Sequence, residues 1–223
     1  MPSASSLAIQ VRDGDDLFDG DLMVPPHTAG LVVFAHGSGS SRFSGRNRAV
    51  ARVLQQAGFA TLLMDLLTKN EEAVDLLTRE HRFDVALLGR RMVAAIDWAQ
   101  HEAAIAALPV ACFGASTGAA AALIAAAERP RLVRAVISRG GRPDLAAAAL
   151  ARVQAPTLLI VGGADEAVID LNRAAMQRLR APVQLEIVPG ATHLFPEAGA
   201  LEAVARLARD WCERYLAPSS ARL

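Results

Sequence analysis

Three residues of reactive type stand where short apolar runs end: Ser116 after "LPVACF", Asp165 after "TLLIVGG" and His193 after "LEIVPG". A serine hydroxyl is a weak nucleophile until a histidine takes its proton. A carboxylate that fixes the histidine tautomer also stabilises the imidazolium that forms. Together the three could carry out acyl transfer. Ser116 lies in Gly114-Ala115-Ser116-Thr117-Gly118, a G-x-S-x-G pattern with a strand-like run before it and a helix-like run after it. The glycines leave room for a sharp turn between strand and helix, with the serine exposed at its apex. Read singly, Ser116 is as good a helix N-cap, and Asp165 as good a cap for a helix beginning near Val168. The order Ser116, Asp165, His193, each at a strand end, favours a triad over two caps and a lone histidine. Glu166 and Asp144 are the competing acids, and Asp144 also reads as a cap for "LAAAALA". His27, His81 and His101 lie before a strand or in charged or helical stretches and read as structural or solvated.

The stretch "HGSGSS", 36 to 41, follows the apolar run "LVVFA". Its glycines let backbone N–H groups turn toward a developing oxyanion. The expected donors are the N–H groups of Ser38 and of Thr117, with Gly37 or Gly39 as alternatives in the loop. A tight strand-to-helix connection would also account for the stretch. A phosphate-cradling loop would need a lysine and a following hydroxyl residue, which are missing. "SRGGRPD" places Arg139 and Arg142 beyond another strand, and Arg42 and Arg46 follow the glycine-serine loop. Guanidinium groups there suit carboxylate or phosphate recognition, or pairing with acids such as Asp144.

The elements that must position these groups alternate along the chain. "LAIQV" and "LFDGDLMVP" read as an antiparallel pair, and "LVVFA", "FATLLMDLL", "LPVACF", "LVRAVIS", "APTLLIVG" and "VQLEIV" as further strands. Helical spacing covers "RNRAVARVLQQAG", which stops at Gly58, and about 83–100, 117–128, 168–180 and 198–217. "TKNEEAVDLLTREHR" is a polar, charged stretch, and loops near 39–46, 65–82 and 139–143 are expected to border an open pocket. This alternation predicts an α/β fold, a mostly parallel twisted sheet with helices on both faces, in one domain spanning 1–223. Ligands in such sheets bind beyond the carboxyl ends of the strands.

Composition restricts the remaining classes. The 223 residues are 52% hydrophobic, 21% charged and 4% aromatic, so the core is expected to be built from Ala, Leu and Val. Twenty-three basic residues balance twenty-three acidic ones, which gives no electrostatic reason to expect nucleic acid or an anionic membrane as a partner. Cys112 and Cys212 form no metal-ligand spacing and read as buried apolar residues. No apolar run approaches a membrane span, and the start lacks the pattern of a signal peptide, so a cytoplasmic location is expected.

With "HGSGSS", "GASTG", "GGADEAV" and "PGATHLF" in place, the chain resembles an α/β-hydrolase of the dienelactone-hydrolase type from about residue 7 to 217. It is especially similar to the compact hydrolase domains that occur alone or joined to phosphoribosyltransferase domains. The resemblance implies a site at Ser116, Asp165 and His193, an oxyanion hole near Ser38 and Thr117, and ester hydrolysis without a cofactor or metal. Dienelactone hydrolases proper carry cysteine where this chain has Ser116, and Cys112, inside the preceding strand, cannot replace it. The expected activity is therefore hydrolysis of small carboxylic esters through an acyl-enzyme. Lactones, thioesters, peptides, or a weakly active binding module are the alternatives. The short connection between "AVIS" and "PTLLIV" leaves no room for a large cap domain.

Overall fold

The computed structural model describes residues 5–216. Its strands are β1 (Ser5–Asp13), β2 (Asp16–Val24), β3 (Gly30–Ala35), β4 (Phe59–Met64), β5 (Val110–Ala115), β6 (Val133–Arg139), β7 (Thr157–Gly162) and β8 (Val183–Val188). The helices are α1 (Gly45–Gln56), α2 (Lys69–Thr78), α3 (Val85–Ala99), α4 (Thr117–Glu128), α5 (Glu166–Met176) and α6 (Ala200–Leu216), with a kinked 3-10 helix at Pro143–Arg152. One sheet holds the strands in the order β1-β2-β4-β3-β5-β6-β7-β8. The β1–β2 and β2–β4 pairs are antiparallel and the rest parallel, as the alternation predicts.

The central strands are buried on both faces, so their side chains divide by a period of two. In β5, Val110 and Cys112 join the core under α3, α4 and the 3-10 helix, while Ala111 and Phe113 join the core under α1 and α6. Alanine dominates α4, which is buried almost all round. Small side chains let this helix lie close to β5 and β6 and to α3, where Gly89 leaves the space that Ile124 fills.

Several boundaries differ from expectation for local reasons. The polar stretch after β4 contains a helix, α2, so the pocket border expected as a loop at 65–82 is largely helical. Thr68 caps it through its hydroxyl and Glu71 returns the bond to the Thr68 N–H, a capping box written as T-x-x-E in the sequence. Within the border expected at 39–46, α1 already begins at Gly45. Asp144 is not a helix cap: it sits inside the 3-10 helix and grips Arg142 instead. Helix α5 starts two residues early and ends at Met176, and position 217 of the last expected helix lies outside the described residues. The β6–β7 connection holds only the 3-10 helix, so no large cap covers the strand ends among the described residues. No helix among the described residues is long and apolar enough to cross a membrane.

Arg91 of α3 ties α2 to the sheet edge. Its buried guanidinium bonds Asp13 at 3.1 Å, Asp16 at 2.8 Å and Glu71 at 2.8 Å, joining the β1–β2 turn to the α2 capping box. Replacing it with methionine strands carboxylates that lost their shared cation. Arg91→Met should lower the unfolding free energy by about 3 kcal/mol in urea titrations, the low end for a broken buried pair because Asp16 is half exposed. A loss below about 1 kcal/mol would reduce the cluster to a surface ion pair.

Candidate active site

Ser116 links β5 to α4 with φ 51° and ψ −121°, a conformation that a serine adopts only under constraint. The constraint is close backbone passage. A Cβ on Gly114 would run into the Gly118 carbonyl and Ala119, and one on Gly118 into the carbonyls of Ala35 and His36. Hydrogen bonds hold the turn from both sides: the Ser116 N–H donates to the Arg139 carbonyl at 3.2 Å, and the Arg142 N–H to the Ser116 carbonyl at 3.0 Å. Ser116 occupies the N-cap position of α4 yet its hydroxyl makes no capping bond. It lies 3.3 Å from His193 Nε2.

Asp165 repeats the pattern at the start of α5. It too sits at an N-cap position without capping, and its Oδ2 is 2.6 Å from His193 Nδ1. A carboxylate only accepts, so Nδ1 carries the proton and Nε2 presents a lone pair to Ser116. The β7 and β8 loops meet because Gly162 has no side chain: a Cβ there would strike the Ala191 carbonyl. The Ala164 N–H then donates to that carbonyl at 2.9 Å. Buried Phe195, at φ 56°, anchors the far side of the histidine loop. Glu197 accepts from both the N–H and the hydroxyl of Thr192 in the same loop. The Thr192 hydroxyl holds the Glu197 carboxyl below the usual range.

The glycine-serine loop closes the third side. The Ser38 hydroxyl donates to the Arg82 carbonyl at 3.0 Å, so its 2.9 Å contact with Thr117 Oγ1 must be accepted from Thr117. This relay ties together the two residues whose backbone N–H groups were expected to form the oxyanion hole. Among the described residues, neither N–H has a hydrogen-bond acceptor. Asp75 braces the relay by accepting from the N–H groups of His81 and Arg82 and from the Arg82 guanidinium. Burial pushes its carboxyl up, but the Arg82 and His81 hydrogen bonds outweigh it and leave the carboxyl below its usual range. A narrow cleft opens here between the loop and α2, lined by Leu66, Leu67, Leu76 and Leu88.

His36 opens the loop, and no sequence pattern singles it out beside its glycines. Its ring is buried, with Nε2 accepting the Leu66 N–H at 3.0 Å and Nδ1 donating to the Gly37 carbonyl at 2.9 Å. It is therefore neutral, and burial pushes its pKa down. The other sequence candidates stand apart. Glu166 is exposed in the first turn of α5, and Asp144 is taken by Arg142 at 2.8 and 2.9 Å. Arg42 pairs with Asp65, Asp19 and Asp21. His81 contacts Glu80, and His101 the Asp97 carbonyl. Both cysteines are buried, and burial pushes the Cys112 thiol up to about 12.

Comparison with known proteins sets this geometry in context. The model of the "Dienelactone hydrolase family" matches residues 18–216. A Mycobacterium tuberculosis protein (strain H37Rv) named as a phosphoribosyl transferase is 56% identical over 203 residues. The match takes in 91% of this chain but only 45% of that protein, so the chain spans about half the length of the curated relative. The crystal structure of a dienelactone hydrolase from Anabaena variabilis is 56% identical with a TM-score of 0.94, over 96% of this chain and 99% of that one. Est1E from Butyrivibrio proteoclasticus has a TM-score of 0.78 at 18% identity, over 94% of this chain and 98% of its own, and shares the α/β-hydrolase fold.

The His36 anchor carries a pH signature. Below about pH 6.5 the unfolded chain protonates this histidine while the fold resists, so stability falls on acidification. His36→Gln keeps an acceptor for the Leu66 N–H but cannot titrate. It should flatten the slope of unfolding free energy between about pH 5 and 7 by up to about 1.4 kcal/mol per unit. An unaltered slope would assign the titration to another group.

Proposed function

The chain belongs to the dienelactone hydrolase family, a hydrolase of the α/β fold, and from that premise we propose that it cleaves small carboxylic esters through an acyl-enzyme on Ser116. One observation carries the reading: two residues at helix N-cap positions, Ser116 and Asp165, both forgo capping and turn to the same histidine. A cap is worth about 1 kcal/mol, and each residue gives it up at a separate helix.

In this reading His193 Nε2 takes the Ser116 hydroxyl proton as Oγ bonds to the ester carbonyl carbon. The carbonyl electrons move onto oxygen, where the N–H groups of Ser38 and Thr117 receive the charge. The imidazolium, stabilised by Asp165, returns its proton to the leaving alcohol as the carbon–oxygen bond breaks. Water, deprotonated by the same nitrogen, then releases the acid and restores Ser116. The transferase name of the M. tuberculosis relative belongs to a protein of which this match covers less than half. The arrangement around Ser116 favours acyl transfer.

Ser116→Ala and His193→Ala should each reduce hydrolysis of p-nitrophenyl esters by roughly four to six orders of magnitude, and the double variant little further, since the residues act as a unit. Fluorophosphonate labelling of the wild type should be lost in both. Labelling that persists in Ser116→Ala would move the nucleophile elsewhere.

The acids separate in a second test. Asp165→Asn should cost about 10⁴ in turnover by imposing the wrong histidine tautomer. Asp144→Asn, which only loosens Arg142, should stay within about tenfold of wild type. The reverse ranking would transfer the acid to the β6 side.

A further inference from the structure

We propose that α2 clamps the acyl half of the ester. A short apolar acyl chain against Leu76 fixes the helix, and Asp75 and Arg82 pass that restraint to Ser38, the oxyanion donor of the loop. This deepens the ester-hydrolase reading and rests on it. The cleft beside the glycine-serine loop adjoins the nucleophile: Gly37 lines it, and a Cβ on Gly37 would lie 3.1 Å from the Ser116 Cβ. Ser38 and Thr117 line it as well, and Leu66, Leu67, Leu76 and Leu88 supply its apolar wall. His193, which hands its proton to the leaving oxygen, lines no part of it, so the cleft lies on the acyl side of the scissile bond. Its charged groups are paired or exposed: Asp65 is held by Arg42, Asp75 by Arg82, and Glu72 faces solvent. The space open to water centres is about 50 Å³, room for roughly four waters or an acyl chain of about four carbons.

Helix α2 differs from the other helices in how it is held. Asp75 is its only buried residue, and among the described residues no strand or helix packs extensively against it. The fold leaves its apolar side chains open, with Leu76 70% and Leu77 88% exposed. Polar contacts secure its two ends instead: the capping box and Arg91 at the start, and Asp75 with residues 79–82 at the finish. A helix with so little buried apolar surface opens more readily than the core. A chain lying against Leu76 would supply the apolar cover that the fold omits there.

The restraint reaches the site through consecutive residues. Asp75, which precedes Leu76, accepts from the N–H groups of His81 and Arg82 at 2.9 and 2.8 Å and from Arg82 Nε at 2.6 Å. These bonds set the Arg82 carbonyl where the Ser38 hydroxyl donates to it. The Arg82 guanidinium also lies against the loop, 3.3 Å from where a Cβ on Gly39 would stand. Asp75 is thus a positioning residue, acting through Arg82 and Ser38 rather than on the ester. The acyl chain keeps its place through acylation and deacylation, and both steps put charge on the same carbonyl oxygen. Burial of the chain is then expressed in the transition states, in kcat rather than in KM alone.

p-Nitrophenyl acetate and butyrate test the clamp, each rate taken relative to hydrolysis by hydroxide. The two added methylenes should raise kcat by about tenfold. Leu76→Ala should remove most of that gain, while Leu77→Ala, outside the cleft, should keep it. Asp75→Asn breaks the pair to Arg82 but leaves the leucine wall, so butyrate should keep its lower KM and lose its advantage in kcat. Arg82→Gln, at the more exposed end of the same pair, carries this arm should Asp75→Asn fail to fold. A butyrate advantage that is absent from the wild type, confined there to KM, or undiminished in kcat by Leu76→Ala or by breaking the Asp75–Arg82 pair overturns the proposal. Hydrogen exchange on Ser116→Ala separates the clamp from the chemistry. Saturating butyramide, unlike acetamide, should slow amide exchange in both 69–82 and 36–41, and adding Asp75→Asn should abolish the slowing in 36–41. That result upholds the clamp even if no ester is turned over. Exchange unchanged in 69–82, slowed there without 36–41, or slowed in 36–41 despite Asp75→Asn overturns it, whatever the fate of the hydrolase reading.

Discussion

Everything around the site depends on how closely the first turn of α4 passes the ends of β3 and β5. Gly118 lies where any side chain would meet the carbonyls of Ala35 and His36, and Gly114 lies against Ala119. The backbone between them has one way through, and it leaves Ser116 at φ 51°. Strain of this kind costs about 1–3 kcal/mol and persists only where the surroundings over-determine it. Here the β5–β6 ladder, the Arg139 carbonyl and the Arg142 N–H do so. The same geometry points the serine side chain away from its helix and leaves the Thr117 N–H free at the helix start.

Two loops complete the site, and each is secured by contacts that take no part in the proposed chemistry. The glycine-serine loop is pegged by the neutral ring of His36 and by the hydroxyl relay from Thr117 through Ser38 to the Arg82 carbonyl. The histidine loop is pegged by buried Phe195 and by Glu197 on Thr192. Rigid support matters because acyl transfer depends on donors standing ready where charge will develop, without reorganisation during the step.

Much of this was legible along the chain. Continuous apolar runs marked the buried strands, "GASTG" between a strand and a helix marked the turn, and the bounds of α4 fall where helical spacing and Pro130 set them. Helix α2 was legible too, in the T-x-x-E box at Thr68 and Glu71, but its charged surface hid the weak apolar periodicity. His36 gave no signal, since nothing local announces that its ring will meet the Leu66 N–H from the next strand's loop.

The sequence by itself determined which residues end strands and in what order, because strand and helix periodicity, glycine placement and turn chemistry are properties of neighbours along the chain. It could not choose partners for side chains of one type. Arg42, Arg139 and Arg142 look alike as letters. Packing gave Arg42 and Arg142 carboxylates and buried Arg139 near Arg46 with none among the described residues. Asp165 and Asp144 both precede or begin a helix, yet one reaches His193 and the other Arg142. Those choices belong to tertiary structure, since pairing falls off within a few ångströms and the distances between remote segments are set only when the sheet and its helices close around one another.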